Sequence, residues 1–382
     1  MRHRTVESRE ALARLRAAAE RLPAPVNFME VCGTHTVSIF RSGLHSLMPE
    51  NVTLLSGPGC PVCVTSQGDI DQFIELAMRP GVAFFTYGDM LRVTGSAGSL
   101  ERARGQGADI HIIYSPLDAV KFAAANPSRE VVFAAVGFET TTPATAVAIL
   151  EAQKLSLINF TVLASHKLVM PAMLALLEGG QVNLNGFLCP GHVSIIIGYE
   201  AYRPIVERFH LPCVVAGFED VHLAASVARL TELAADGKPA LENWYPQAVT
   251  AAGNKLAWNL IEKVFEPADV SWRGVGVIPK SGLAIRPEYG LFDARVRYNL
   301  QPKEVPEPRG CRCGEVITGR CTPAECKLFG NVCTPIDPIG PCMVSSEGTC
   351  QAWFKYHRGS TAAHGLEARA TSMGGQSRGG TR

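Results

Sequence analysis

The 382-residue chain has no long apolar run. No stretch approaches the roughly 18 uncharged apolar residues that a bilayer span requires. The first twenty residues are rich in Arg and Glu and lack the apolar segment of a secretory signal; they read as a solvated amphipathic helix. Charge of one sign is missing too. Lys and Arg number 36 against 35 Asp and Glu, a net charge of +1. That balance argues against nucleic acid or a membrane surface held by bulk charge. Nucleotide motifs are absent: there is no G-x-x-x-x-G-K-[ST], and no G-x-G-x-x-G follows the first strand. The expected setting is the cytoplasm, where thiols stay reduced.

Cysteine, by contrast, is plentiful. Of twelve, seven fall between Cys311 and Cys350. Three more stand upstream, Cys32 in Val31-Cys32-Gly33-Thr34-His35-Thr36 and Cys60 and Cys63 in Gly57-Pro58-Gly59-Cys60-Pro61-Val62-Cys63. In a reduced compartment such thiols read as ligands or reactive groups before they read as disulfides.

Hydrophobic residues make up 47% of the chain, enough for a sizeable core. Short apolar runs at 52–56, 82–86, 110–114, 131–136, 160–164, 186–188 and 212–216 each lead through a loop into a new segment, in most cases a helical pattern. The alternation predicts an α/β fold with parallel sheets of βαβ units, and ligands at the C-terminal ends of the strands. Pro171 marks a first helical position. From about Trp244 the pattern changes to a helix over 256–265 and short strands at 275–278 and Tyr298. A Pro- and charge-rich linker, 301–309, then leads into the cysteine-rich module. Beyond Tyr356 the chain lacks apolar periodicity and is expected to be disordered.

The Cys60/Cys63 loop follows a buried strand and precedes a helix, whose N-terminus favours thiolate. A redox pair, half of a metal site and two core cysteines all fit that pattern. Cys32 closes the strand 28–31, with Thr34, His35 and Thr36 as donors and a proton carrier beside it. His35 has a structural hydrogen-bonding role as its alternative. Cys32, Cys60 and Cys63 are expected to converge. Three thiolates with open positions would bind one iron and admit exogenous ligands.

Between Cys311 and Cys350 Pro, Gly and Thr are dense, so a metal centre must tie the segment together. The C-x-x-C pairs of a zinc ribbon are missing, and the irregular spacing suits a four-cysteine [4Fe–4S] site better. Cys313, Cys326, Cys333 and Cys350 are the expected ligands, with Cys311 and Cys342 as substitutes. Glu139 reads as a buried acid at a strand end, with helix capping by 140–142 as the plainer reading of that loop. His166 and His192 read as structural, Cys189 and Cys213 as core residues. The expected division is an N-terminal helix (1–24), a first α/β domain with Cys32, Cys60 and Cys63 (25–118), a second (119–240), a third with the cluster (241–357) and a tail (358–382).

Met29-Glu30-Val31-Cys32-Gly33-Thr34-His35-Thr36, the Gly57-to-Cys63 loop, Tyr87-Gly88-Asp89-Met90, Gly137-Phe138-Glu139-Thr140-Thr141, His166-Lys167-Leu168-Val169, Pro190-Gly191-His192-Val193-Ser194 and Cys342-Met343-Val344-Ser345-Ser346-Glu347-Gly348 occur in one order. Together these strings resemble the HypD family of hydrogenase maturation proteins. The resemblance implies two Rossmann-like α/β domains and a third with a [4Fe–4S] cluster. It also implies a scaffold for the Fe(CN)2CO unit of [NiFe]-hydrogenase, a redox-active assembly factor rather than a stand-alone enzyme. Its implied partners are HypC, a small chaperone sharing the iron, and HypE, which delivers cyanide, joined by a monomer in a transient complex. The positions Cys32, Cys60 and Cys63 are tied by it to iron binding or thiol chemistry. On that footing Cys32 and a HypC cysteine hold the iron, and the Cys60/Cys63 dithiol ligates or supplies electrons drawn from the cluster. The rival is an iron–sulfur-dependent thiol–disulfide reductase acting on a small protein partner. Cys32, in its own His-containing loop, speaks against it. A zinc-stabilised interaction module is the plainest reading.

Overall fold

The computed structural model describes residues 2–301 and 303–357, with side chains from residue 7. The tail expected over 358–382 lies outside them. The strands are β1 (Val26–Glu30), β2 (Val52–Ser56), β3 (Val82–Thr86), β4 (Asp109–Ile112), β5 (Glu130–Gly137), β6 (Phe160–Lys167), β7 (Gly186–Pro190), β8 (Cys213–Ala216), β9 (Leu241–Asn243), β10 (Phe265–Trp272) and β11 (Gly276–Ile285). Helices α1 (Arg2–Ala19), α2 (Gly33–Arg41), α3 (Pro61–Val64), α4 (Gln67–Ala77), α5 (Leu100–Gly105) and α6 (Pro116–Ala125) accompany the first half. Helices α7 (Thr142–Lys154), α8 (Val169–Gly179), α9 (Gly191–Ile197), α10 (Arg203–Phe209), α11 (Asp220–Ala235) and α12 (Lys255–Val264) follow.

Two sheets result. The first is parallel throughout, in the order β2-β1-β7-β8-β9. The second runs β10-β11-β6-β5-β3-β4; β6, β5, β3 and β4 are parallel, and β11 is antiparallel to both β6 and β10. The central parallel strands are covered on both faces, so their sequences are apolar at nearly every position: all five residues of β3 and of β7 are buried. Phe28, Phe84, Phe133, Phe160 and Phe187 have no exposed surface; each contributes about 1.5–3 kcal/mol by leaving water.

Each sheet draws strands from both 25–118 and 119–240. The chain builds β1 and β2, leaves to lay down β3 to β6, and returns at β7. The β10–β11 hairpin and β9, which follow residue 240, complete the two sheets. The cysteine-rich region shares its core with them, since Cys313, Val316, Cys342 and Met343 pack in one apolar cluster with Met29, Cys63, Val64 and Phe73.

Local details differ from the sequence pattern. Tyr298 lies in no strand; it ends a short helix, Ala294–Arg297, and its ring sits under Arg79 at 5.1 Å. Pro171 is the third residue of α8, not the first. At the N-terminus, α1 is pinned to α11 by Arg14, which donates to both Glu232 oxygens at 2.8 and 2.9 Å. No helix among the described residues is long and apolar enough to cross a membrane.

Candidate functional site

In a parallel sheet, ligands collect where successive connections leave in opposite directions. In the first sheet that point lies between β1 and β7, and in the second between β3 and β5. Cys32 lies two residues beyond the end of β1, at the N-cap position of α2. Gly137 ends β5, and Glu139 follows two residues on.

Cys32 is held from below by Glu30. The Cys32 N–H donates to Glu30 Oε2 at 3.0 Å, and Thr36 Oγ1 donates to Glu30 Oε1 at 2.5 Å. Burial pushes the Glu30 carboxyl up to about 8 despite these donors. Burial likewise pushes the Cys32 thiol up to about 12, against the backbone N–H groups of His35 and Thr34 that favour thiolate. Cys32 is therefore a thiol until a cation displaces its proton.

The Cys60 loop lies against this one. The Gly33 N–H donates to Gly59 O at 3.1 Å and the Gly57 N–H to Glu30 O at 2.7 Å. Any Cβ at Gly59 would overlap the backbone N of Cys32, so only glycine permits the approach. Cys60 caps α3, and its Sγ accepts from the Cys63 N–H at 3.1 Å. Cys60 and Cys63 are joined as a disulfide. In this form the pair offers no thiolate, so three thiolates are not available together; Cys32 is free.

His35 is fully buried. Its Nε2 donates to Ala216 O at 3.2 Å, which leaves Nδ1 as a bare acceptor without a partner among the described residues. Burial lowers it to about 4, so the ring is neutral. Phe218 packs between it and His192, whose ring stacks on Phe218 at 3.9 Å.

Two acids escaped the reading of the sequence. Glu30 was hidden inside an apolar run. Glu347 lies in the segment 342–348, far along the chain, and accepts from Thr34 Oγ1 at 2.6 Å. Asp89, after β3, anchors that segment by accepting from Ser345 Oγ, Ser346 N and Ser346 Oγ at 3.1 to 3.2 Å. A cleft of about 660 Å³ runs from Pro61 and Val62 past Tyr87, Asp89, Thr140 and Glu347. The dithiol helix and the second sheet's switch point thus open on one space.

Glu139 is buried, accepts from the Val169 N–H at 2.9 Å through Oε1, and is pushed up to about 7 by burial. The side-chain cap expected of 140–142 is not formed; Thr142 Oγ1 donates to Phe138 O instead, at 3.0 Å. His166 is buried, with Nε2 3.0 Å from Thr145 Oγ1. Cys189 and Cys213 are buried on neighbouring strands.

Near the C-terminus Cys311, Cys313, Cys326, Cys333, Cys342 and Cys350 line one small cavity with Val316, Leu328, Phe329 and Met343; Cys321 stands outside it. Within it the Cys350 N–H donates to Cys342 Sγ at 3.1 Å and the Ile339 N–H to Cys333 Sγ at 3.3 Å. Among the described residues no three or more His, Cys, Asp or Glu side chains are spaced to hold a single metal ion. The thiols surround a space instead of meeting at a point, and every donor is sulfur.

Residues 7–357 match the family model described as "HypD: Hydrogenase formation hypA family". The chain is similar to Hydrogenase maturation factor HypD of Escherichia coli (strain K12), 46% identical over 92% of this chain and 93% of that one. It is similar to Hydrogenase maturation factor HypD of Azotobacter vinelandii, 46% identical over 92% and 94% of the two chains. Hydrogenase expression/formation protein HupD of Azotobacter chroococcum mcd 1 is 47% identical over 91% and 94%. On this evidence the chain belongs to the HypD family of hydrogenase maturation factors.

Proposed function

We propose that this chain is the cytoplasmic scaffold on which the Fe(CN)2CO unit of [NiFe]-hydrogenase is assembled, with HypC and HypE as its partners. The observation that carries the reading is Cys32. It is a lone free thiol at a helix N-terminus, at the switch point of a parallel sheet, in backbone contact with a redox-capable cysteine pair. Iron is here the cargo. Low-valent iron bearing cyanide and carbon monoxide calls for soft sulfur donors and a shielded site. Cys32 meets the first need, and its burial under the segment 345–347 meets the second.

The chain's own residues have separable tasks. Glu30 and Thr36 hold the Cys32 backbone, and Glu347 closes over the loop. His35 keeps a bare nitrogen beside it. The Cys60/Cys63 pair, when reduced, supplies two electrons and two protons on closing. That balances the release of cyanide from a thiocyanate on HypE, since RSCN with the dithiol gives RSH, HCN and the disulfide.

The sulfur-lined cavity fits an iron–sulfur cluster by donor type and apolar walls. Cys313, Cys326, Cys333 and Cys350 would hold a [4Fe–4S] group there, with Cys311 or Cys342 as substitutes. Such a group supplies single electrons at low potential. A second reading, an iron–sulfur-dependent thiol–disulfide reductase acting on a small protein partner, draws its support from the closed Cys60–Cys63 disulfide.

The deciding experiment is infrared spectroscopy of protein purified without oxygen from cells that also make HypC and HypE. Metal-bound cyanide and carbon monoxide bands should appear and vanish in Cys32→Ala. A brown protein with both partners bound and no such bands would overturn the scaffold reading in favour of the reductase.

A further inference from the structure

Arg273 lies between the two cysteine centres. It follows β10, its N–H donates to Val64 O at 3.0 Å, and Trp272 pairs with Thr65. Its backbone is thus tied to the last residue of α3, the helix that carries Cys63. Its Nε donates to Thr65 O at 3.2 Å and Nη2 to Gln67 Oε1 at 3.0 Å. On the other side the next residue, Gly274, is in direct backbone contact with Gly314, the neighbour of Cys313. Neither position admits a Cβ without a shift, so the two segments approach as closely as backbones can.

The side chain is completely buried, and Nη1 has no hydrogen-bond partner among the described residues. An arginine stays charged at any pH a protein survives. A buried charge left partly unpaired is costly. The nearest carboxylate, Glu307, stands 4.0 Å from Nη1, is about a third exposed, and gives its other oxygen to the Gly274 N–H at 3.0 Å. Nothing else described neutralises the guanidinium. The sulfur-lined cavity lies just beyond: Gly274 abuts Gly314, and Gly314 adjoins Cys313, which lines that cavity.

Arg312 lines the cavity too, but its guanidinium is paired with Glu315. We propose that Arg273 is a positioning residue that supplies a buried positive charge beside the cysteine-lined cavity, stabilising the thiolate-bound cluster and setting its reduction potential beside the Cys60/Cys63 helix. This rests on the reading of the cavity as a cluster site. A four-thiolate cluster is anionic and gains one further negative charge, with no proton, on accepting an electron. A cation fixed in a dry setting favours the reduced form. Glu307, facing the same guanidinium, opposes it.

The test is a redox titration of the anaerobically reconstituted full chain with dithionite, followed by electron paramagnetic resonance. Arg273→Gln should disfavour reduction about tenfold, a drop of about 59 mV for a one-electron couple. Arg273→Lys, which keeps the charge, should recover most of that. Glu307→Gln keeps an acceptor for Gly274 and should move the potential the opposite way, which a merely structural role would not do. Iron and sulfide content are measured alongside. A cluster whose potential ignores both charges overturns the inference alone. Wild-type protein that takes up no cluster overturns the reading of the cavity, and the inference with it.

Discussion

Thr34 Oγ1 donates to Glu347 Oε1 at 2.6 Å, a bond between residues 313 apart in sequence. It clasps the C-terminal segment over the Cys32 loop, and Gly33 makes the fit possible. A Cβ at position 33 would stand 2.5 Å from Glu347 Cβ. Gly33→Ala should therefore lift the clasp and cost about 1–3 kcal/mol, as overpacking does. Thr34→Ala, which strands a half-buried carboxylate, should cost about 1 kcal/mol. Urea midpoints measure both, and equal stabilities for wild type and Gly33→Ala would show that the segment moves freely.

Cys32→Ser changes one atom at a helix N-cap whose side chain makes no capping bond and whose backbone is held by Glu30. The fold and the C-terminal cysteine cavity should survive with a melting temperature close to wild type. Maturation of hydrogenase in a complemented cell should be lost entirely. Normal hydrogenase activity with the serine variant would remove Cys32 from its proposed role.

Glu139 makes stability depend on pH in a direction opposite to most carboxylates. Its folded value is about 7 against an ordinary 4.5, because burial disfavours the anion. The folded protein keeps a proton that the unfolded chain releases across that window. Stability is thus lost as pH rises from 4.5 through 7, by roughly 3 kcal/mol. Glu139→Gln removes the titration. Its stability relative to wild type should improve between pH 5 and about 7 and level off above that, measured by urea midpoints. A difference that stays flat with pH would mean that Glu139 is ionised in the folded state.

Much of the architecture was legible from apolar runs. The strands at 82–86, 131–136 and 160–164 announced themselves because buried parallel strands are apolar on both faces. Which sheet each strand joins was not legible. The alternation of strand and helix is the same whether the chain continues one sheet or departs and returns, as it does between β2 and β7. The loops of Cys32 and Cys60 could be paired from sequence, since both follow buried strands and carry glycine. Their clasp by Glu347 could not, for no local pattern specifies a bond across 313 residues. Glu30 and Arg273 were missed for a related reason. Each sits within or beside an apolar run, where periodicity reports the neighbours and hides the one charged group.

The buried charges between the sheets give the last prediction. Lys167, at the end of β6, is almost wholly buried; its Nζ donates to Ser271 O at 2.9 Å and stands 3.8 Å from Asp69 Oδ2. Asp69, in the first turn of α4, also accepts from Ser165 Oγ at 2.9 Å and from Arg295 at 2.8 Å. Burial alone would raise the Asp69 carboxyl, but Lys167 and Arg295 outweigh it and hold it below its ordinary 3.8. Burial lowers Lys167, and Asp69 offsets part of that. Asp69→Asn should cost about 3–5 kcal/mol at neutral pH, because it leaves the lysine buried without its counter-charge. Asp69→Asn combined with Lys167→Met should cost less than Asp69→Asn alone. The sign with pH follows from the depressed carboxyl. Its contribution is complete above pH 3.8 and is lost as pH falls through the lower folded value. The gap between wild type and Asp69→Asn should hold steady from pH 5 to 8 and narrow below pH 4. Urea midpoints across that range would check it, and a double variant less stable than Asp69→Asn would show that Lys167 is stabilised by something other than Asp69.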